Sequence, residues 1–234
     1  MIRIRLNSSK STFLFCFPCQ VLSPCFSLIL YVQPPPCPWL FIPAPAYEWA
    51  LWLGVPERKI RSYLIEHIDA HQPLLDFGCG TGNFLQQLQQ THPQQTIRGL
   101  DTDPYMVRVS RRKSVPVDYY ASGPLPYAGE RFGTVTSTWV FEHFSVEESL
   151  FYFREIRRIL QPGGTLWLGD WGPSQGPTQR VLGRLVHWID PTQNGLGPAG
   201  RWPELLAQAG FSTVLIPYQI ATRLGTFYYW KCHF

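Results

Sequence analysis

The chain has 234 residues, 45% of them apolar and 15% charged, with a formal net charge of +4. That length holds one ordinary domain with a full core, and the composition is that of a globular protein rather than a disordered one. The charge is too small to make nucleic acid an expected partner. The densest basic run, Arg108 with Arg111-Arg112-Lys113, sits at the end of an expected helix, where cations complement the dipole.

In chain order, Arg3, Arg5 and Lys10 precede an apolar stretch, Thr12 to Val32, which reads like a signal peptide or a short anchor. Pro18, Gln20 and Pro24 interrupt it, no small-x-small cleavage site follows, and Gln33-Pro34-Pro35-Pro36-Cys37-Pro38 forms an extended linker. Three readings stand open. Residues 12–32 anchor or target the protein and associate it with a membrane; the segment is a disordered extension; or it is non-native sequence ahead of a true start near residue 40. All three leave residues 1–44 outside the fold and residues 45–234 as the domain. Cys16-x-x-Cys19 resembles half a zinc site, but no His or second close Cys pair completes it, so no metal is expected. Cys79 and Cys232 build no disulfide framework, and a reducing, cytoplasmic setting is the default.

Beyond the linker, Tyr47–Leu53 and Pro56–Asp69 read as helices, the second with Ile60, Tyr63, Leu64 and His67 on one face. Strands are expected at Leu74–Phe77, Thr96–Asp101, Val115–Tyr120, Phe132–Thr138 and Thr165–Asp170. Between them lie a helix reaching about Thr91, one capped by Asp103 with Pro104 at its first position, and one opened by the capping box at Ser145 to Glu148. Pro162-Gly163-Gly164 is expected to end that last helix. Five alternations of strand and helix imply a parallel sheet with helices on both faces. A further helix opens at Trp202-Pro203-Glu204, and Phe211–Pro217 and Arg223–Cys232 read as an antiparallel pair at the sheet edge. Residues 171–200, rich in Gly, Pro and Gln, surround an amphipathic stretch, Arg180 to Ile189.

The chemistry concentrates in Leu74-Leu75-Asp76-Phe77-Gly78-Cys79-Gly80-Thr81-Gly82, a strand that runs into a glycine loop and opens a helix. Each glycine costs roughly 1 kcal/mol in regular structure, so three together need a reason. The helix N-terminus beyond them offers unpaired N–H groups to a ligand. A dinucleotide site wants G-x-G-x-x-G; here the step is G-x-G-x-G, and Asp76 would repel a diphosphate but suit a cationic amine. A nicotinamide-dependent oxidoreductase is disfavoured on both counts. Asp101 closes the next strand 19 residues after Gly82, where a carboxylate can accept hydrogen bonds from two ribose hydroxyls.

The pattern D-x-G-C-G-T-G resembles motif I of the class I S-adenosylmethionine-dependent methyltransferases. Trp139-Val140-Phe141-Glu142-His143 and Arg154 through Gln161-Pro162-Gly163-Gly164 resemble the LEH and PGG signature of a small-molecule, quinone-biosynthesis-like branch, and Ala209-Gly210-Phe211 matches its late helix–strand joint. The resemblance covers roughly residues 45–216. It implies a Rossmann-like, doubly wound, seven-stranded and mostly parallel sheet with the last strand antiparallel. It also implies S-adenosylmethionine as cofactor, with Asp76, Gly78, Cys79, Gly80, Gly82, Asp101, Thr102 and Thr138 around it. The implied activity is methyl transfer to a small-molecule or lipid-like acceptor. Two positions depart from the family: Ala121-Ser122 stand where an adenine-side Asp is usual, with Asp118 or Ser122 as substitutes, and Gly133 follows Phe132 where Asp is usual. A non-catalytic binding protein with the same fold is therefore the alternative. His143 is the candidate general base, because it follows the fourth strand and titrates near neutral pH; the other reading of Glu142-His143 is packing between strand and helix. Asp170 and His187 are further candidates, and Trp171, Trp188 and Trp202 candidate lid residues.

Overall fold

The computed structural model describes residues 56–173, 175–177, 179, 200–222 and 225–234. The N-terminal segment, the expected helix at Tyr47–Leu53, the stretch from Arg180 to Ile189, His187 and Trp188 lie outside the described residues. Among the described residues five helices and seven strands follow in order: α1 (Glu57–His67), β1 (Leu74–Phe77), α2 (Asn83–Thr91), β2 (Ile97–Asp101), α3 (Pro104–Arg112), β3 (Val117–Tyr119), β4 (Phe132–Thr138), α4 (Val146–Ile159), β5 (Leu160–Gly172), α5 (Trp202–Gln208), β6 (Thr213–Ala221) and β7 (Thr226–His233). A short 3-10 turn, Phe141–His143, links β4 to α4. The strands form one sheet in the order β3-β2-β1-β4-β5-β7-β6. Pairing is parallel from β3 through β5, and β7 runs against both β5 and β6. The doubly wound, mostly parallel class expected from the alternation is the one observed.

Alternate residues of each strand feed two cores, as the two-residue pleat requires. Leu75, Leu166 and Leu168 pack with Phe153, Ile156, Trp202 and Leu205 of α4 and α5. Leu74, Trp167 and Tyr229 pack on the other face with Ile60, Leu85 and Val107 of α1, α2 and α3. Both expected caps form. Asp103 Oδ1 accepts from Tyr105 N at 2.7 Å with Pro104 next to it, and Ser145 and Glu148 bond each other's backbone N–H.

Several boundaries differ from expectation. The first described helix stops at His67, and Pro56 precedes it at the cap position. α4 ends at Ile159, before the proline; Leu160 is already extended. Pro162-Gly163-Gly164 lies inside β5 as a bulge, since Phe132 pairs with Leu160 but Thr134 with Thr165. Two steps along β4 thus oppose five along β5, and Gly163 takes φ +74° to make the turn. β6 continues past Pro217 to Ala221 because a register shift between Leu215 and Tyr218 accommodates the ring without a ladder hydrogen bond.

The structure explains the departure at Gly133. A Cβ there would lie 2.3 Å from Gln72 Oε1 and 2.7 Å from Gln72 Cβ, so the Gln72 side chain fills the space an Asp would take. Gly133→Asp is expected to destabilise the fold by about 1–3 kcal/mol through overpacking, and Gln72→Ala in the same chain to recover most of that loss. Urea midpoints of the single and double variants measure it; additive losses would contradict this account.

Candidate functional site

Gly78 N and Cys79 N both donate to Leu100 O, at 2.8 and 3.1 Å, so the loop after β1 bends over the end of β2. Gly78, Gly80 and Gly82 have φ of +75°, +53° and +73°, and Gly82 is the cap of α2. Their surroundings differ. A Cβ on Gly78 would stand 2.3 Å from Val140 Cγ2, and one on Gly82 2.8 Å from Ser110 Oγ; one on Gly80 would meet nothing within 4 Å among the described residues. Packing demands the first and third glycines. The middle one opens onto free space, the kind of cradle a ligand occupies.

The Gly80 peptide is held at both ends. Its N–H donates to Asp101 Oδ2 at 2.7 Å, and its carbonyl accepts from Ser110 Oγ at 2.7 Å. Ser110 is fully buried on α3, three residues after the buried Val107. Sequence reading missed it, although a serine on the inward face of an amphipathic helix is a readable signal. Asp101 Oδ1 accepts from Asp103 N at 2.9 Å. Burial raises the Asp101 pKa, and its backbone hydrogen bonds, including one from Thr102, oppose that rise. Three backbone donors leave about one of the four lone-pair sites of this carboxylate for a further donor.

Asp76 is buried, with Oδ1 accepting from Thr136 Oγ1 at 2.7 Å. Burial pushes its pKa up to about 7, and the nearby Asp101 adds to the rise. A carboxyl in that state gains from any cation brought beside it. The Cys79 thiol is pushed up by burial and by Asp76 and Asp101, so it is not a nucleophile; its sulfur fills the space over Gly99. Asp76, Cys79, Asp101, Thr102 and the three glycines thus gather at the carboxyl ends of β1 and β2. Thr138 closes β4, the strand beside β1, and its side chain shares a hydrogen bond with Tyr229, whose phenol also donates to Ile60 O at 3.4 Å.

His143 ends the 3-10 turn with its side chain 41% exposed and Nε2 3.6 Å from Glu142 Oε1. Asp170 has no exposure and accepts from Trp171 N at 2.7 Å and Glu142 N at 3.1 Å. Burial pushes its pKa up to about 8. It therefore cannot meet an acceptor, as the candidate-base reading required; it pins the turn that carries His143. On the adenine side, Asp118 pairs with Arg98 at 3.6 Å and accepts from the Tyr127 hydroxyl at 2.9 Å, with its side chain 39% exposed. Ala121 and Ser122 are exposed. Trp202 is fully buried with its Nε1 donating to Trp171 O, which makes it core rather than lid. Trp139, at φ +56°, packs its ring 5.0 Å from that of Phe227 and 6.4 Å from that of Trp171; no local signal in the sequence announces a left-handed tryptophan.

Residues 75–168 match the family described as "Methyltransferase domain". Malonyl-[acyl-carrier protein] O-methyltransferase of Paenibacillus sp. is 28% identical over 60% of this chain and 55% of its own length. Demethylmenaquinone methyltransferase of Deinococcus radiodurans is 33% identical over 56% of this chain and 57% of its own. The chain thus spans about half the length of these curated relatives. A SAM-dependent methyltransferase from Thermotoga maritima superposes with a TM-score of 0.64 at 16% identity, over 81% of this chain and 95% of that one. The fold is that of the S-adenosylmethionine-dependent methyltransferases, and the matched segment contains the glycine loop, Asp101 and His143.

Proposed function

We propose that this protein, a methyltransferase-fold chain with an open cradle at Gly80, transfers a methyl group from S-adenosylmethionine to a small-molecule or lipid-like acceptor. The observation that carries the reading is Gly80 itself: positive φ, no described neighbour within 4 Å of a Cβ, and the buried Asp76 and half-buried Asp101 carboxyls flanking the loop. The residues fit the cofactor's chemistry. Asp76 suits its ammonium group, Asp101 its ribose hydroxyls, and the loop glycines let backbone approach. Bound there, S-adenosylmethionine supplies an electrophilic methyl on a sulfonium. What the chain must add is alignment and exclusion of water, with His143 taking a proton where the acceptor nucleophile carries one. The names of the two curated relatives, one acting on malonyl-acyl-carrier protein and one on demethylmenaquinone, support an acceptor of this class.

Calorimetry with S-adenosylmethionine and S-adenosylhomocysteine tests cofactor binding; no heat at millimolar ligand overturns the proposal. A methyl-transfer screen against quinones, phenols, lipids and small amines then seeks the acceptor. With an acceptor in hand, His143→Gln is expected to leave S-adenosylhomocysteine affinity within about twofold and to slow transfer by about 10²–10⁴-fold, the range for general acid–base catalysis. Unchanged turnover would assign His143 to packing of the turn. The second reading, a non-catalytic binding protein, is favoured by Ala121, which leaves the adenine side without its usual acid; it predicts cofactor-independent partner binding and no transfer in the whole screen.

A further inference from the structure

We propose that the groove between α3 and the β3 edge of the sheet binds single-stranded nucleic acid. The groove measures about 540 Å³ and is lined by Pro104, Val107, Arg108, Arg111, Arg112 and Tyr119. Among the described residues β3 pairs only with β2, which puts it at the edge of the sheet. α3 carries three arginines and no acid between Pro104 and Arg112. Arg111 is committed: its Nε and Nη2 donate to Val117 O at 3.2 and 3.1 Å, tying helix to strand and building the groove floor. Arg108 and Arg112 are exposed, and neither takes part in an ion pair among the described residues. The neighbouring acids face other groups. Asp118 turns to Arg98 and Tyr127, and Asp103 caps α3.

Two exposed rings stand beside these cations. Tyr119 lines the groove at 48% exposure, and Tyr105, adjacent to Pro104, is 49% exposed. Guanidinium groups that reach phosphates, interleaved with aromatic faces on which bases stack, form the combination that holds a single strand. An acidic peptide would use the arginines and leave the rings idle. An anionic lipid surface would call for aliphatic side chains here, but the exposed Leu215 and Ile216 lie on β6, at the far edge of the sheet. The groove begins at Pro104, three residues beyond Asp101, so a bound strand would pass the corner of the cleft assigned to the ribose. Binding at this edge does not require that the strand be the methyl acceptor, and it stands or falls independently of the methyl-transfer reading.

The test is fluorescence anisotropy of a labelled twelve-nucleotide oligo(U) with the full chain, titrated between 25 and 200 mM salt, with circular dichroism on the same samples. Two phosphate contacts predict a slope of log K against log salt of about −1.4. Arg108→Ala with Arg112→Ala is expected to remove that slope and weaken binding at least about tenfold at the low-salt end. Tyr119→Ala is expected to weaken binding about 5–100-fold at an unchanged slope, because stacking releases no counterions. Circular-dichroism spectra and thermal midpoints should stay constant in all variants, which shows that they are folded whether or not the cofactor binds. No oligonucleotide binding at 25 mM salt overturns the proposal. So does binding that neither variant changes, and so does a preference, lost in the same variants, for polyglutamate or phosphatidylserine vesicles over oligo(U).

Discussion

Asp76→Asn is expected to weaken S-adenosylhomocysteine binding by about 10–100-fold at pH 8, the worth of a hydrogen bond to a charged group, and to flatten its pH dependence. Burial holds the free Asp76 carboxyl at about 7. A bound ammonium favours the carboxylate, so the pKa in the complex is lower than in the free protein. Below pH 7 the ligand must displace a proton. Wild-type affinity should therefore fall as pH falls through 7, approaching about tenfold per pH unit, and the same titration in two buffers of different ionisation enthalpy should show proton release. Apo stability runs the other way. The Asp76 carboxyl ionises at 3.8 in its ordinary state and at about 7 when folded, so between those values the folded protein keeps a proton the unfolded chain has lost. Stability of the apo protein then declines as pH rises from about 4 to about 7 and levels off above that. Asp76→Asn should remove that decline. A wild-type affinity flat from pH 5 to 8 would contradict the assignment of Asp76 to the cationic end of the ligand.

The glycine loop makes a second, opposed pair of expectations. Gly80→Ala should fold. Its cost is the left-handed backbone, about 1–2 kcal/mol, or a Tm loss of about 2–8 °C at this chain length. Its methyl group enters open space when the site is empty, but stands in the ligand's way when it is filled, and should weaken S-adenosylhomocysteine binding by about 5–100-fold, an overpacking cost. Gly78→Ala should do the reverse. Its Cβ meets Val140 Cγ2 at 2.3 Å, which adds overpacking to backbone strain for about 2–5 kcal/mol and a Tm loss of about 5–20 °C. Val140→Ala in the same chain should recover the overpacking share. Scanning calorimetry and ligand titration of the two variants separate these outcomes; equal effects on stability and binding in both would mean that Gly80 is not the open position.

Much of this site was legible before any coordinates. Asp76, the three glycines and Asp101 converge as their spacing implies, because a strand–loop–helix unit places its own residues. The same reasoning failed at Asp170. Its place at the end of a strand suggested access, yet the 3-10 turn at Phe141–His143 covers it and draws on its carboxylate. It did not show that Asp118 pairs with Arg98 and accepts from Tyr127. The basic run at Arg108 to Lys113 read as a complement to the helix dipole. Only its placement beside Tyr119 of the neighbouring edge strand turns it into a groove of rings and cations.

The sequence by itself determined the order of strands and helices, the caps at Asp103 and Ser145, and the position of the glycine loop. Those are local signals, set by hydrophobic period, cap spacing and the φ demands of glycine and proline within a few residues of one another. The tertiary structure alone decided which glycine is open, which carboxyls are free to act, and that Gln72 fills the space beside Gly133. Thr136 reaches Asp76 from 60 residues away, and Ser110 reaches Gly80 from 30. Whether a buried group is satisfied, crowded or exposed depends on such distant partners. The loop that begins at Asp76 could thus be recognised in the chain, but its open position and the ionisation of its acid emerge only when the sheet brings those partners together.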